Sequence, residues 1–154
     1  MFINIILLLT VIFYSMIVSQ SFMYILALRN LSLDLDVAAY TQMRKIIDAN
    51  MRSKYSIVVY GSLILNLLLV VLLLGRHSGT LFIASTISMT ALLIDTLLMV
   101  KGNMPLNAVI NEWTSEKIPG NWKDVRLKWL NIYQQRQVVN IIGFIALVAG
   151  IVFR

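Results

Sequence analysis

The stretch Tyr55–Val100, YSIVVYGSLILNLLLVVLLLGRHSGTLFIASTISMTALLIDTLLMV, decides the architecture. From Tyr55 to Leu74 the only non-apolar members are Ser56, Gly61, Ser62 and Asn66, and from Thr80 to Val100 the only charge is Asp95. A hydrocarbon core about 30 Å thick is crossed by roughly 20 helical residues. Each run therefore reads as a membrane span, and the short Gly75-Arg76-His77-Ser78-Gly79 turn folds the two into an antiparallel hairpin.

Working outward, Phe2 to Leu28 is a further apolar run, interrupted only by neutral polar residues such as Thr10, Ser15, Ser19, Gln20 and Ser21. It lacks a basic leader region and a small-x-small cleavage site, so it is expected to remain a span rather than a signal peptide. Gln137 to Phe153 is a shorter fourth run, closed by Arg154. No internal repeat or proline-rich linker appears. The chain is thus expected to be a single all-α domain over residues 1–154, an integral membrane four-helix bundle. Its spans lie at 2–28, 55–74, 80–100 and 137–153, with structured cytoplasmic segments at 29–54 and 101–136.

Composition agrees. Of the 154 residues 59% are hydrophobic and 13% charged, about half the charge of an ordinary soluble domain, which excludes a water-soluble globule. The absence of cysteine removes disulfides, thiolate zinc sites and iron–sulfur ligation, and a single histidine argues against a multi-histidine metal centre. Neither metal nor cofactor is expected. The eight methionines form no repeated Met-x-x-Met pattern and read as packing.

Lysine and arginine set the direction of insertion, because cytoplasmic loops retain them. Arg29, Arg44, Lys45, Arg52 and Lys54 lie between the first two spans, and Lys101, Lys117, Lys123, Arg126, Lys128 and Arg136 lie between the last two. Only Arg76 and Arg154 fall on the other side. Both termini are expected outside the cytoplasm, in a bacterial inner membrane. The net charge of +6 then reflects topology and contact with anionic lipid heads rather than nucleic-acid binding.

The two cytoplasmic segments read as ordered. Asp36 suits a helix N-cap, with Leu35 and Tyr40 spaced as a hydrophobic staple. Tyr40, Met43, Ile47 and Met51 then recur at helical spacing, opposite Arg44 and Asp48, in an amphipathic helix that runs on into the second span. In the other segment Pro105 suits the first turn of a new helix that starts after Asn103 or Met104 and carries Asn107, Ile110, Asn111 and Trp113. Beyond the break at Ile118-Pro119-Gly120-Asn121, the residues Trp122, Arg126, Trp129, Tyr133, Arg136 and Asn140 fall within about 80° of one another on a helix. That face extends for about 27 Å. An interfacial belt would gather at one depth, so a face this long is expected to pack against the rest of the protein or to line a site.

Ionisable groups inside a span are costly and usually face the bundle interior. Asp95, Gln20 and Asn140 reach similar depth from three helices, which suggests a polar pocket opening toward the cytoplasm, with Arg136, Arg126 or Lys101 available to pair with Asp95. A buried ion pair that only fixes helix packing is the plainer alternative. Asn66 is expected to make an interhelical hydrogen bond, and His77 is expected to be a solvated loop residue.

At these residues the chain resembles a family of small four-span membrane proteins named after the anthrone oxygenases of aromatic polyketide pathways. The likeness lies in Asn103-x-Pro105-x-Asn107, then Trp122-x-x-x-Arg126-x-x-Trp129, then Arg136 before the last span. The resemblance implies a four-helix membrane bundle and, for the named members, oxygenation of an activated aromatic CH₂ by O₂ without a recognised flavin, haem or metal. Under that reading Asp95 is the base, Arg126 or Arg136 with Asn103 or Asn107 stabilises the anion, and Trp122 and Trp129 stack on a flat ring. Gln20, Tyr133 and Asn140 complete the expected binding residues. The implied partner is a hydrophobic aromatic small molecule in addition to membrane lipid, and a homo-oligomer is compatible. The competing class is a non-catalytic membrane protein, either a binder of lipid or small molecule or an accessory subunit of a larger complex.

Overall fold

A computed structural model describes residues 1–76, 79–114 and 116–154. His77 and Ser78, and with them the expected solvated position of His77, lie outside the described residues.

Four helices carry the fold: α1 Phe2–Asp34, α2 Val37–Leu73, α3 Thr80–Asn111 and α4 Trp122–Val152, each long and apolar enough to cross a membrane. The protein is therefore an all-α integral membrane bundle, as its apolar runs dictate. α1 packs beside α2 and α4, and α3 packs beside α2 and α4. This is an up-down-up-down square, the arrangement that short connections favour. Among the described residues the only β-type pairing is an isolated bridge between Thr114 and Lys117, in the connection from α3 to α4.

The helix starts and stops follow local chemistry. Leu35 and Asp36 break the chain between α1 and α2, and the Asp36 carboxylate accepts the Ala39 amide at 2.9 Å, which satisfies one of the free donors at the helix start. From there α2 runs without interruption to Leu73, so the amphipathic helix and the second span are a single rod. The same holds for α4, which joins the Trp122–Asn140 stripe to the last span.

The helix expected after Asn103, with Pro105 in its first turn, is present from Met104; it joins the third span directly, as one rod, by way of a wide π-type turn at Met99–Asn103. Proline lacks an N–H and its ring clashes with the carbonyl four residues back. A π turn locally widens the helix, so the rod passes the proline without a break. This helix ends at Asn111, and Trp113, expected on it, sits in the following turn. There the Trp113 carbonyl accepts Lys45 Nζ at 2.6 Å, and its ring is buried.

Two cores stack along the bundle axis. The membrane half is aliphatic, built on Leu7, Ile17, Leu69, Leu92 and Leu147, with Tyr14 among them. Within it α3 and α4 approach through small residues: a Cβ on Gly150 would land on the Ala84 methyl, and one on Gly143 would meet Ala91 and the Tyr14 hydroxyl. Without a hydrophobic force between lipid-solvated helices, such close backbone approach is what holds them. Ser88 Oγ donates to Asn66 Oδ1 at 2.8 Å across α3 and α2, the interhelical bond expected of Asn66. The loop half is aromatic, built on Tyr24, Tyr40, Ile110, Trp113, Trp129 and Leu130.

Candidate functional site

The α4 stripe faces inward. Arg126, Trp129, Arg136 and Asn140 are all buried and Trp122 is half-buried. Two of its members form the wall of a cavity: Trp129 and Tyr133 stack at 4.7 Å with 21° between their planes, and Tyr24 closes edge-on against Tyr133 at 4.6 Å. In front of this pair lies a cavity of about 580 Å³ between α2, α3 and α4, with Gln20 of α1 at its edge. That volume falls within the range of small-molecule sites. Ile47, Met51, Val59, Met99 and Ala108 give it apolar sides. Tyr60, Val100 and Met104, exposed between α2 and α3, line its open side.

Asn107 is the junction of the polar end. Its Oδ1 accepts Trp129 Nε1 at 2.7 Å and Arg44 Nη2 at 3.1 Å, and its Nδ2 donates to Asp48 Oδ1 at 3.0 Å. Asp48 also accepts Asn111 Nδ2 at 2.9 Å and Arg52 Nη2 at 3.0 Å. The Arg44 guanidinium lies 3.7 Å over the Trp129 ring, so it is held by a cation–π contact on one face and an amide at one edge. Arg44 lies ahead of the second span, and burial lowers its pKa against the smaller opposing pull of Tyr40, Tyr133 and Asp48. Burial likewise pushes the nearby Tyr40 hydroxyl up to about 12.

Arg136 closes the deep end. Its Nε donates to Asp95 Oδ1 at 2.7 Å, its Nη2 reaches Asp95 Oδ2 at 3.4 Å, and its Nη1 reaches Asn103 Oδ1 at 3.3 Å. Asn103 in turn donates to the Trp129 carbonyl at 3.0 Å. Arg136 and Asp95 are 5% and 1% exposed at their side chains, which makes this a desolvated, two-pronged pair. Of the three cations available from sequence, Arg136 is the one that pairs with Asp95. The arginine faces the cavity and the aspartate lies behind it, off the cavity wall.

The sequence-derived site residues thus separate into two groups. Gln20, Asn103, Asn107, Trp129, Tyr133 and Arg136 line one cavity, whereas Asp95, Trp122, Arg126 and Asn140 do not. Arg126 works higher on α4, where its Nη1 donates to the Ser32 and Leu35 carbonyls at 3.2 and 2.7 Å and its guanidinium lies 4.6 Å from the Trp122 ring. It ties the end of α1 to α4 by filling carbonyls that the helix leaves free. Asn140 is 1% exposed and neither amide atom has a protein partner.

Sequence reasoning missed Arg44, Asp48 and Tyr55 on the cavity wall. The helical pattern of α2 groups Tyr40, Met43, Ile47 and Met51 on one face, with Arg44 and Asp48 expected opposite. In the structure Tyr40 is fully buried, Arg44 is 8% exposed and Ile47 is 38% exposed. The signal was present in the regular recurrence of Tyr40, Arg44, Asp48 and Tyr55, a polar–aromatic stripe like that of α4. Among the described residues no group of three histidine, cysteine, aspartate or glutamate side chains converges as metal ligands would. Comparison with known proteins finds no matching family model, no similar curated protein and no similar solved structure.

Proposed function

We propose that this membrane protein binds a flat, hydrophobic aromatic molecule in the cavity before Trp129, and that it acts there as a cofactor-free oxygenase of the anthrone-oxygenase kind. The observation that carries the binding reading is the Trp129–Tyr133 stack set against apolar sides, with amides and guanidiniums confined to one end. Such a surface accepts a ring system face-on and gathers its oxygen atoms at the polar end. The open side, lined by exposed Tyr60, Val100 and Met104 between α2 and α3, suits entry from the lipid.

The oxygenation reading adds the family resemblance and one electrostatic requirement. Loss of a proton from an activated CH₂ leaves a delocalised anion, which transfers one electron to O₂. Recombination gives a peroxide, and elimination of water leaves the ketone, so one O₂ is consumed per substrate and one of its oxygens leaves as water. Guanidiniums at the polar end stabilise the anion. The carboxylate on the cavity wall is Asp48, so the proton-accepting role read for Asp95 passes to Asp48. A second reading, a binder without turnover, is favoured by one observation: Asp95, the expected base, is shut behind Arg136.

The concentration of lysine and arginine around 29–54 and 101–136 supports a cytoplasmic position for the polar end and external termini, in a bacterial inner membrane. Anthrone, supplied to the protein purified in neutral detergent, tests the reading. We expect O₂ uptake above the spontaneous rate, one O₂ per anthraquinone formed, with a loss of about tenfold or more in Trp129→Ala. Uptake no faster than background contradicts the oxygenase, and uptake indifferent to Trp129→Ala contradicts this cavity as its site.

A further inference from the structure

The charges around the cavity do not balance. Arg44, Asp48, Arg52 and Arg136 line it, and Asp95 stands directly behind Arg136. Arg136 is matched by Asp95, and Asp48 is matched by Arg52 at 3.0 Å. Three guanidiniums against two carboxylates leave one positive charge, and geometry assigns it to Arg44. Among the described residues no carboxylate comes within ion-pair distance of Arg44. Asp48 reaches it only through the Asn107 amide, and the Arg44 Nε has no hydrogen-bond partner in the protein. Yet Arg44 is 8% exposed, and an unpaired buried charge carries a large desolvation cost. The Trp129 face and a single amide offset only part of that cost.

From this unpaired cation we infer that the cavity selects molecules carrying one anionic oxygen on a flat apolar body, and that Arg44 is the residue that receives that oxygen. The inference rests on the cavity reading above and names the chemistry of its ligand. Arg44 lines the cavity, its Nη1 is neither shut in nor hydrogen-bonded among the described residues, and its guanidinium is already oriented by Trp129 and Asn107, so little side-chain freedom is lost when the anion arrives. Arg136, whose donors are taken by Asp95 and Asn103, lends the same region donor character without a free charge. The anion could belong to an aromatic enolate or carboxylate, or to the headgroup of a singly charged lipid. All three offer the same contact.

Two probes of matched shape separate charge from stacking. Anthracene-9-carboxylate, ionised at pH 7, and neutral anthracene-9-methanol are titrated against tryptophan emission in dodecyl maltoside. We expect the carboxylate to bind about tenfold or more tighter than the alcohol, and the preference to persist in high salt, because a buried contact is poorly screened. Arg44→Gln should bring the carboxylate down to the affinity of the alcohol, with Arg44→Lys between them, while Lys54→Gln, at an exposed cation on the same helix that does not line the cavity, retains the preference. Alcohol binding by Arg44→Gln shows that the variant is folded. If it does not fold, the comparison of the two probes on the native protein and on Arg44→Lys decides.

Equal affinities for the two probes overturn the inference and leave the cavity reading intact. A preference that survives Arg44→Gln or vanishes with Lys54→Gln also overturns it. If neither probe binds, the cavity reading falls as well. Native mass spectrometry then identifies the source of the anion: a phospholipid displaced one for one by the carboxylate, and lost in Arg44→Gln, is the headgroup case. A preference for the carboxylate with no such lipid is the free aromatic anion.

Discussion

In the membrane half of the bundle α3 and α4 touch through Ala84, Ala91, Gly143 and Gly150, and leucine and isoleucine fill what remains. In the loop half the same two helices are joined through Trp129, Arg136, Asn103 and Asp95, and in front of the Trp129–Tyr133 stack a cavity opens toward α2. The first region economises on space; the second creates it. Small side chains allow the backbone contact that drives association in lipid. Large planar ones leave gaps unless a partner fills them, and the guanidiniums beside them need partners of their own. One bundle thus keeps a closed core at one end and a site at the other.

Substitutions at each end should separate these roles. The largest effect is expected at Asp95→Asn, which leaves the Arg136 guanidinium buried without its carboxylate and should cost about 3–5 kcal/mol. Thermal unfolding in detergent reads this, and Asp95→Asn with Arg136→Gln should recover much of the loss. A fully stable Asp95→Asn would mean that the pair does not hold the two halves together. Next comes Arg126→Ala, which frees the Ser32 and Leu35 carbonyls for about 1–3 kcal/mol. Hydrogen exchange should rise at the α1–α2 junction while the membrane half stays protected. Equal change in both halves would break the distinction between them.

In the closed half Gly150→Ala pushes a methyl into Ala84 and should cost about 1–2 kcal/mol by overpacking. Ala84→Gly in the same chain should restore the melting temperature, and failure to restore it would show that the two residues do not pack as neighbours. The smallest effect is that of Asp36→Ala, which loses the cap on Ala39 for about 1 kcal/mol. It should lower the melting temperature slightly and leave ligand titrations unchanged.

Much of this layout can be read from sequence because lipid imposes a simple rule: apolar runs of sufficient length become helices. The cap at Asp36 and the Asn66 hydrogen bond follow from residue chemistry alone; the polar–aromatic stripe of α4 is visible in the sequence, but the direction it faces is set by the packing of the bundle. Pro105 marks a first helical turn, as its chemistry suggests, but the widened turn at Met99–Asn103 that joins it to the span depends on the rod around it. Trp122 and Arg126 share a helical face with Trp129, but α4 rises beyond the cavity, and helical periodicity says nothing of where along a face a site ends. Arg44 escaped for a different reason. α2 buries Arg44 on the same side as Tyr40, with Ile47 and Met51 beside it on the cavity wall, so the charge expected opposite the apolar face shares its inner side. The hydrophobic face of α2 was recognised; that Arg44 packs beside it was not.

The most direct test of the account retains a single reporter, Trp129, in a protein where Trp113 and Trp122 are phenylalanine. Titrated with anthracene-9-carboxylate in neutral detergent, its emission should be quenched saturably with one molecule per chain, and Arg44→Gln should weaken that binding about tenfold. Quenching that rises without saturation, to the same degree as for free tryptophan in the same micelles, would contradict a ligand cavity at Trp129.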